Sequence, residues 1–377
     1  MAARPHEEVW IESERGRFDK IRSIEVNTDI FGEASATFEV ADDRSWRTLR
    51  PLLMPGRDFR IYCSGLLTFT GRIDSHELPV TADDGTIAQV VLRTRMADAR
   101  VAGADPKVQT ANTSIKDFIL RLFAGAGFTA NDFLFTPETD RDLVTGKKGG
   151  QSQAPVDLER LKADQAKVLP TETIADCAKR HLERHHLMLW ETATGLICVG
   201  LPSDTQRPLY RFEQRRGVCN FRSARPVRDW GEVPSELWVY GGGVGKDVSG
   251  AKVKGVAVDY DLVIESNRSG NFKRPVVLGV EGAKTLAKAD AQASRELMMR
   301  SRRKAAWTIE CDDWSFWDGR YATPFAINTT CDVDVDTHEG SDLRGVFLIT
   351  GVKKSMSLDE GTRATLTTMA KGLINPG

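Results

Sequence analysis

The chain has 377 residues, of which 41% are hydrophobic and 28% charged, proportions typical of a soluble globular protein with two or three domains. Its 52 basic and 53 acidic side chains leave a formal net charge of −1, which excludes a general electrostatic attraction to nucleic acid or anionic membranes. The sequence has no apolar run long enough to span a bilayer, so we expect no membrane anchor, and no secretory signal either.

Apolar residues alternate with polar ones through most of the first hundred residues. Ile24 and Val26 alternate in this way, as do Phe59 and Ile61 and the run at 87–93. Pro-Gly, Ser-Gly and Asp-Gly pairs separate these runs, as turns separate antiparallel strands. Residues 1–100 are therefore predicted to form a first, small β-barrel domain.

The next hundred residues change to a helical period. Apolar residues recur at helical spacing over 115–123, and a second helix is predicted over 171–186. A hairpin follows, with its turn at 194–195. The polar segment 131–170 is predicted to be a long loop. Together these features predict an α/β middle domain over residues 101–200.

Alternating strands return in the last part of the chain, 201–377, interrupted by an inserted loop at 241–275 and a long helix at 285–304. The clearest alternating runs are 307–311, 331–335, 346–348 and 364–366. We predict a second β-barrel domain here, related to the first, although no repeat is visible residue by residue. The predicted fold class is α+β and β-rich, with two small β-barrels, an α/β middle domain and one long helix before the last strands.

A glycine cluster in ELWVYGGGVGKDVSG, residues 236–250, resembles a phosphate-binding loop at first sight. That loop needs a glycine where Tyr240 stands and a hydroxyl residue after Lys246, where the chain has Asp247. The sequence therefore favours a strand that runs into a glycine-rich connection, and Lys246 is predicted to have no role in nucleotide binding.

Three aspartates, Asp332, Asp334 and Asp336, resemble the start of a calcium-binding loop. The loop requires glycine and a bidentate acid at positions that hold Thr337 and Leu343 here. A strand with three aspartates on one face is the better interpretation.

Cys177, His181 and His185 share one face of a predicted helix, a spacing that two zinc ligands can use. The metalloprotease pattern needs a glutamate where Leu182 follows His181, and no fourth ligand can be named. Partly buried histidines bonded locally are the favoured interpretation.

No other pattern indicates chemistry. The sequence contains no Gly-x-Ser-x-Gly motif, and its six cysteines are widely separated, without a Cys-x-x-Cys pair. These cysteines, expected to be reduced, are Cys63, Cys177, Cys198, Cys219, Cys311 and Cys331. We therefore predict no catalytic, cofactor-binding or metal-ligating residues, and no enzyme.

A basic cluster of Arg300, Arg302, Arg303 and Lys304 ends the long predicted helix. Cations at this place stabilise the negative end of the helix dipole, which we favour over contact with nucleic acid phosphates.

The order of these elements resembles that of the baseplate hub proteins of Mu-like phages with contractile tails, the late-control or tail hub family. The stretches that carry the resemblance are ASATFEV (34–40), LMPGRDFRIYCSGLLTFTGRID (53–74), RTRMADARVAGA (93–104), SELWVYGGG (235–243) and the runs at 274–314, 318–336 and 347–369. Two departures concern Tyr321, where the family usually has Trp, and the segment 131–170, which has no counterpart.

The resemblance implies a structural virion protein without chemistry, assembled in the host cytoplasm into the tail baseplate. It implies a homotrimer whose six barrels adapt a sixfold tail tube to a threefold central spike. The implied partners are further copies of the chain, the central spike protein, the tail tube or a tube-terminating protein, and baseplate wedge proteins. DNA would pass through the channel during ejection without specific binding. Two alternatives remain: a peptidoglycan-degrading tail hydrolase, and the hub of a related contractile injection or secretion system.

Overall fold

The computed structural model describes residues 8–14, 16–40, 46–47, 49–54, 56–78, 80–81, 85–108, 114–135, 168–183, 187–204, 206–215, 218–241, 253–269, 273–280, 283, 285–301, 305–335 and 344–371. No helix in these ranges is long and apolar enough to cross a membrane.

Seven strands of the first hundred residues form one antiparallel arrangement, here called the N unit. Their bounds are β1 (Val9–Ser13), β2 (Gly16–Phe18), β3 (Ser23–Asp29), β4 (Ser35–Val40), β5 (Asp58–Cys63), β6 (Leu66–Glu77) and β9 (Ala88–Arg93). A short hairpin of β7 (Val80–Thr81) and β8 (Gly85–Thr86) connects β6 to β9, and a 3₁₀-helix, Arg50–Leu52, precedes β5. The strand order is β2-β1-β5-β6-β9-β4-β3. Inward positions alternate with polar ones, as in β4, where Ala36, Phe38 and Val40 are buried.

Seven later strands form a second arrangement, the C unit. Their bounds are β13 (Tyr210–Arg215), β14 (Val218–Cys219), β15 (Ser223–Val227), β19 (Ala306–Cys311), β22 (Thr329–Val335), β23 (Gly345–Ser357) and β24 (Gly361–Ala370). The strand order is β14-β13-β22-β23-β24-β19-β15, which is the order of the N unit when the strands of each unit are numbered along the chain. One pair differs, because β13 and β22 are parallel whereas β1 and β5 are antiparallel.

The two units are joined into one 14-stranded sheet, because β3 pairs with β23. The predicted β-rich fold is confirmed, but neither unit closes into a barrel within the described residues. Each unit still has its own hydrophobic core, one built around Phe38, Phe59 and Phe69 and the other around Phe212 and Trp307. The prediction of two closed barrels is therefore corrected to two open units with the same strand order.

The middle region packs helices against a small sheet. Its elements are α1 (Met96–Val101), α2 (Ile115–Ala124), a 3₁₀-helix (Ala130–Asp132), β10 (Phe133–Leu134), α3 (Ile174–Glu183), β11 (Met188–Glu191) and β12 (Ile197–Gly200). The apolar stripe of α2 is buried against α3, and Ser114 caps α2 by accepting the N–H of Asp117. The prediction at 115–123 is confirmed, whereas α1 was not predicted. Most of the polar segment 131–170 lies outside the described residues.

An additional α/β layer lies on the connection between β15 and β19. It consists of β16 (Glu236–Gly241), β17 (Val253–Val258), α4 (Tyr260–Ser269), β18 (Pro275–Val280) and α5 (Leu286–Ser301). Segment 241–275, predicted as a loop, thus contains a strand and a helix. Helix α5 packs on the sheet through Ala289 and Ala293, and a Cβ on Gly255 would overlap the backbone of Ala289. The hairpin of β20 (Ser315–Trp317) and β21 (Ala322–Pro324) follows β19.

Candidate assembly edges

The contact between the two units is a strand joint at the far end of β23. Strand β24 lies along one edge of β23, so β22 and β3 share the other edge. Residues 345–349 of β23 pair with β22, and residues 351–357 extend past β22 and pair antiparallel with β3. A strand that extends past its neighbour exposes unpaired backbone groups, and β3 satisfies them here.

Polar contacts fix the register of this joint. The N–H of Ile30 donates to the carbonyl of Thr350 at 2.9 Å, and the hydroxyl of Thr28 donates to that of Val352 at 3.2 Å. On the solvent face, the Lys353 ammonium lies 2.9 Å from the Glu25 carboxylate. Both charged side chains are about half exposed, so the pair contributes at most about 1 kcal/mol and acts mainly on register.

An apolar anchor lies beneath the joint. Trp314 follows β19 in the chain, yet it is 1% exposed within the core of the N unit. Its indole N–H donates to the carbonyl of Ser355 at 2.8 Å, and Met356 packs against the same core. Side chains that lie outside the N unit, Trp314 and Met356, thus complete its core.

Two strand edges that correspond to this joint are open within the described residues. Strand β15 has β19 on one side and no strand on the other. Strand β6 pairs with β5 only as far as the pair of Arg72 and Asp58, so its last residues, up to Glu77, have only β9 beside them. In the joint within the chain, β3 occupies the position equivalent to β15, and the end of β23 occupies the position equivalent to the end of β6. Within the described residues, the end of β6 therefore lacks the neighbour that β3 provides to β23, and β15 lacks the neighbour that β23 provides to β3.

Local hydrogen bonds repeat between β3 and β15, which confirms that the two strands correspond. The N–H of Arg22 donates to the carbonyl of Glu39 at 2.9 Å, and the N–H of Arg222 donates to that of Glu310 at 2.8 Å. The Ser23 hydroxyl donates to the carboxylate of the same Glu39 at 2.8 Å, and the Ser223 hydroxyl donates to that of Glu310 at 2.7 Å.

The same correspondence continues at the other end of the two strands. The Asp29 carboxylate accepts the N–H of Phe31 at 2.7 Å, and the Asp229 carboxylate accepts the N–H of Gly231 at 2.8 Å. The sequence signal is an Arg-Ser pair followed at equal distance by Asp, in RSIEVNTD and RSARPVRD. Three matches in eight positions were too few to reveal the repeat without the structure.

A buried carboxylate fixes the middle region to the N unit. Glu191, at the end of β11, is 2% exposed and accepts the N–H of Ala34 at 3.2 Å and the hydroxyl of Thr94. The guanidinium of Arg100 lies 3.6 Å from it. Burial, the largest influence, raises the pKa of Glu191, while these three partners lower it.

The structure describes two of the three aspartates and one glycine of the cluster, Gly241. Asp332 and Asp334 lie on β22, between the buried Cys331, Val333 and Val335, as the strand interpretation predicted. Asp332 lies 3.7 Å from the guanidinium of Arg211 on β13. Asp336 and residues 242–250, including Lys246, lie outside the described residues.

The described members of the cysteine–histidine group, Cys177 and His181, are part of helix packing. Cys177 and His181 are buried, His181 packs edge-on against Phe118 at 4.8 Å, and burial raises the pKa of the Cys177 thiol to about 12. His185 lies outside the described residues, as do Arg302, Arg303 and Lys304, while Arg300 lies in the last turn of α5. In the ranges that the structure describes, no group of three or more His, Cys, Asp or Glu side chains is arranged to hold a metal ion.

Comparisons with known proteins match at the level of structure. No family model and no curated protein matches the sequence. A tail protein from Neisseria meningitidis MC58 is 16% identical, with 99% of each chain covered and a TM-score of 0.74. The 43 kDa tail protein of prophage MuSo2 from Shewanella oneidensis is 13% identical, with 97% of this chain and 99% of that one covered and a TM-score of 0.71.

A third match is a component of the E. coli type VI secretion system, described as structurally similar to the T4 bacteriophage tail proteins gp27 and gp5. It is 12% identical, with 93% of this chain and 73% of that one covered and a TM-score of 0.52. At these identities the matches show the fold, which is that of phage tail proteins. The resemblance found in the sequence is thereby confirmed for the fold.

We predict that Trp314→Ala lowers the free energy of unfolding by about 3–5 kcal/mol, because it empties a large buried site beneath the joint. Trp317→Ala, at a partly exposed position of β20, is the matched control and should cost less than half as much. Denaturant unfolding followed by circular dichroism measures both. Equal losses in the two variants would contradict the role assigned to Trp314.

We predict that Glu191 gives a pH-dependent component to stability. In the folded chain the pKa of Glu191 is raised above that of a carboxyl in the unfolded chain, which is about 4.3. The stabilisation that Glu191 gives to the folded state is therefore complete below about pH 4.3 and is lost as the pH rises through the folded-state pKa. The melting temperature of Glu191→Gln should therefore fall less than that of the wild type between about pH 4.5 and pH 8. Glu360→Gln, at an exposed carboxylate, should follow the wild type. Parallel curves for Glu191→Gln and wild type would contradict the assignment.

Proposed function

We propose that this protein is the structural hub of a phage tail baseplate, a homotrimeric ring that adapts a sixfold tail tube to a threefold central spike. The observation that carries the proposal is the shared strand order of the N and C units. Three copies of a chain with two similar units present six similar units around a threefold axis, which is the arrangement that contacts between sixfold and threefold partners require.

The open edges suit this role physically. A β-strand edge continues readily into the sheet of a neighbour, since its N–H and C=O groups already point outward. Each subunit carries two such edges at different places, so contacts between copies are head-to-tail and close into a ring if the rotation allows it. The proposed division of the chain is a first β-domain at 1–100, a middle domain at 101–200 and a second β-domain at 201–377.

The proposed partners follow from the ring. They are the other two subunits, the central spike protein, the tail tube or its terminating protein, and baseplate wedge proteins, all within the virion. The ring leaves a channel through which DNA passes without specific binding, and the protein performs no catalysis. The net charge of −1 is consistent with a wall that does not hold phosphates.

A hub in a related contractile secretion system is a second candidate. The similarity to the E. coli secretion-system component favours it, although that chain is longer and is covered to 73%. Both candidates make the same prediction about assembly.

We predict that the purified protein forms a particle of about 125 kDa, three times the 41.8 kDa of one chain. Size-exclusion chromatography with multi-angle light scattering, at micromolar concentration and low salt, measures this mass directly. A strictly monomeric or dimeric particle at all concentrations would contradict the proposed ring.

A further inference from the structure

The open end of β6 can be aligned with the end of β23 residue by residue, because both strands carry a bulge at the same place. The pairing of β23 with β24 skips from Ile349 to Gly351, and that of β6 with β9 skips from Ile73 to Ser75. Gly351 therefore corresponds to Ser75. Counting two residues further, Lys353 corresponds to Glu77.

The outer strands β3 and β15 align through the same sheet positions. Across the C unit, the strand pairing leads from Gly351 on β23 to Thr367 on β24, then to Thr308 on β19 and Arg225 on β15. Across the N unit, it leads from Ser75 on β6 to Val91 on β9, then to Thr37 on β4 and Glu25 on β3. Arg225 on β15 therefore corresponds to Glu25 on β3. The repeated hydrogen bonds of Ser23 and Ser223 give the same alignment independently.

The charges at these corresponding positions are reversed. In the joint within the chain, the acidic residue, Glu25, lies on the outer strand, β3, and the basic residue, Lys353, lies on the long strand, β23. At the open edges, the basic residue, Arg225, lies on the outer strand, β15, and the acidic residue, Glu77, lies on the long strand, β6. Both side chains are exposed, and neither forms an ion pair within the described part of the chain. Reversed but complementary charges predict the same kind of ion pair across an edge-to-edge contact.

We propose that β15 of one subunit pairs antiparallel with the end of β6 in a second copy of this chain, with Arg225 beside Glu77. The proposal rests on the proposed trimeric hub and names the contact that closes its ring. By the register of the joint within the chain, Val227 lies opposite Glu77 and Arg228 opposite His76.

The backbone of β15 is compatible with this contact. The N–H of Ile30 donates to the carbonyl of Thr350. In β3, the backbone N–H and C=O groups of every second residue, counted back from Ile30, therefore point toward β23. In β15, Pro226 is one of the residues whose backbone groups point toward the open edge. Because proline has no N–H, the proposed contact lacks one hydrogen-bond donor there, but the carbonyl of Pro226 can still accept. Proline occurs in sheets at such edges, where it limits unspecific pairing. Selectivity for the proper edge then depends more strongly on the Arg225–Glu77 pair.

The two edges of one chain do not pair with each other within the described residues. Six strands, β19, β24, β23, β3, β4 and β9, lie between β15 and β6 in the sheet. Seven strand spacings correspond to about 34 Å along the sheet. A second copy of the chain therefore supplies the partner edge, and three copies give three such contacts that alternate with the three joints within the chains.

Charge reversal tests the contact. Arg225→Glu and Glu77→Lys each place like charges across it, and each should weaken a contact by about fivefold, hence the trimer by about a hundredfold over three contacts. The double variant recreates the charge order of Glu25 and Lys353 and should restore the trimer. Arg121→Glu, at an exposed position of α2, is the matched control and should leave the trimer unchanged. Mass photometry on dilution at low salt measures all four, since salt screens exposed charges.

A covalent test gives a result even if the free trimer is too weak to observe. Val227 and Glu77 would be directly opposite residues in a non-hydrogen-bonded pair, close enough for a disulfide. In a Cys219→Ser background, which removes the exposed native thiol, the variant with Val227→Cys and Glu77→Cys should form covalent oligomers up to the trimer when oxidised at high concentration, whereas each single variant should form no species larger than a dimer. A wild-type trimer without cross-linking and without charge effects would overturn this contact but leave the hub. A monomeric wild type whose double-cysteine variant still forms covalent trimers would support the contact as a weak one, whereas a monomeric wild type without cross-links would contradict both the hub and the contact.

Discussion

Backbone pairing along β23 holds the N and C units together. This strand extends past β22, and buried N–H and C=O groups without partners cost about 1–3 kcal/mol each. Strand β3 supplies the partners, and Trp314 and Met356 fill the space beneath. Because the C unit completes both the sheet and the core of the N unit, the two units form one continuous sheet instead of two closed barrels.

The differences between the units lie in their connections and leave their strand order unchanged. The chain passes from β3 to β4 in a short turn, whereas the equivalent connection from β15 to β19 carries β16, β17, α4, β18 and α5. Long insertions at surface connections cost little free energy, because the entropy of loop closure rises slowly with length. The middle region is another such addition, fixed to the N unit by Glu191.

Local patterns predicted much of the fold and little of the candidate interface. The apolar stripe of α2 and the alternation around Phe59 and Ile61 identified helix and strands, because burial imposes these periods on the sequence. The two β-domains were predicted to be related, but their strand order could not be derived from the sequence, since it depends on pairing between residues far apart in the chain. The equivalence of Arg225 on β15 and Glu25 on β3 could not be predicted either. It becomes visible only from the register of the sheet, because the two residues have opposite charges.

A cryo-electron microscopy reconstruction of the purified assembly, without imposed symmetry, shows whether similar units alternate around a threefold axis. We expect a ring of six similar β-lobes, alternately N and C units, around an open channel, with the insert of β16–β18 and α5 on every second lobe. A two-fold dimer, or a ring in which only one unit of each chain lines the channel, would contradict it.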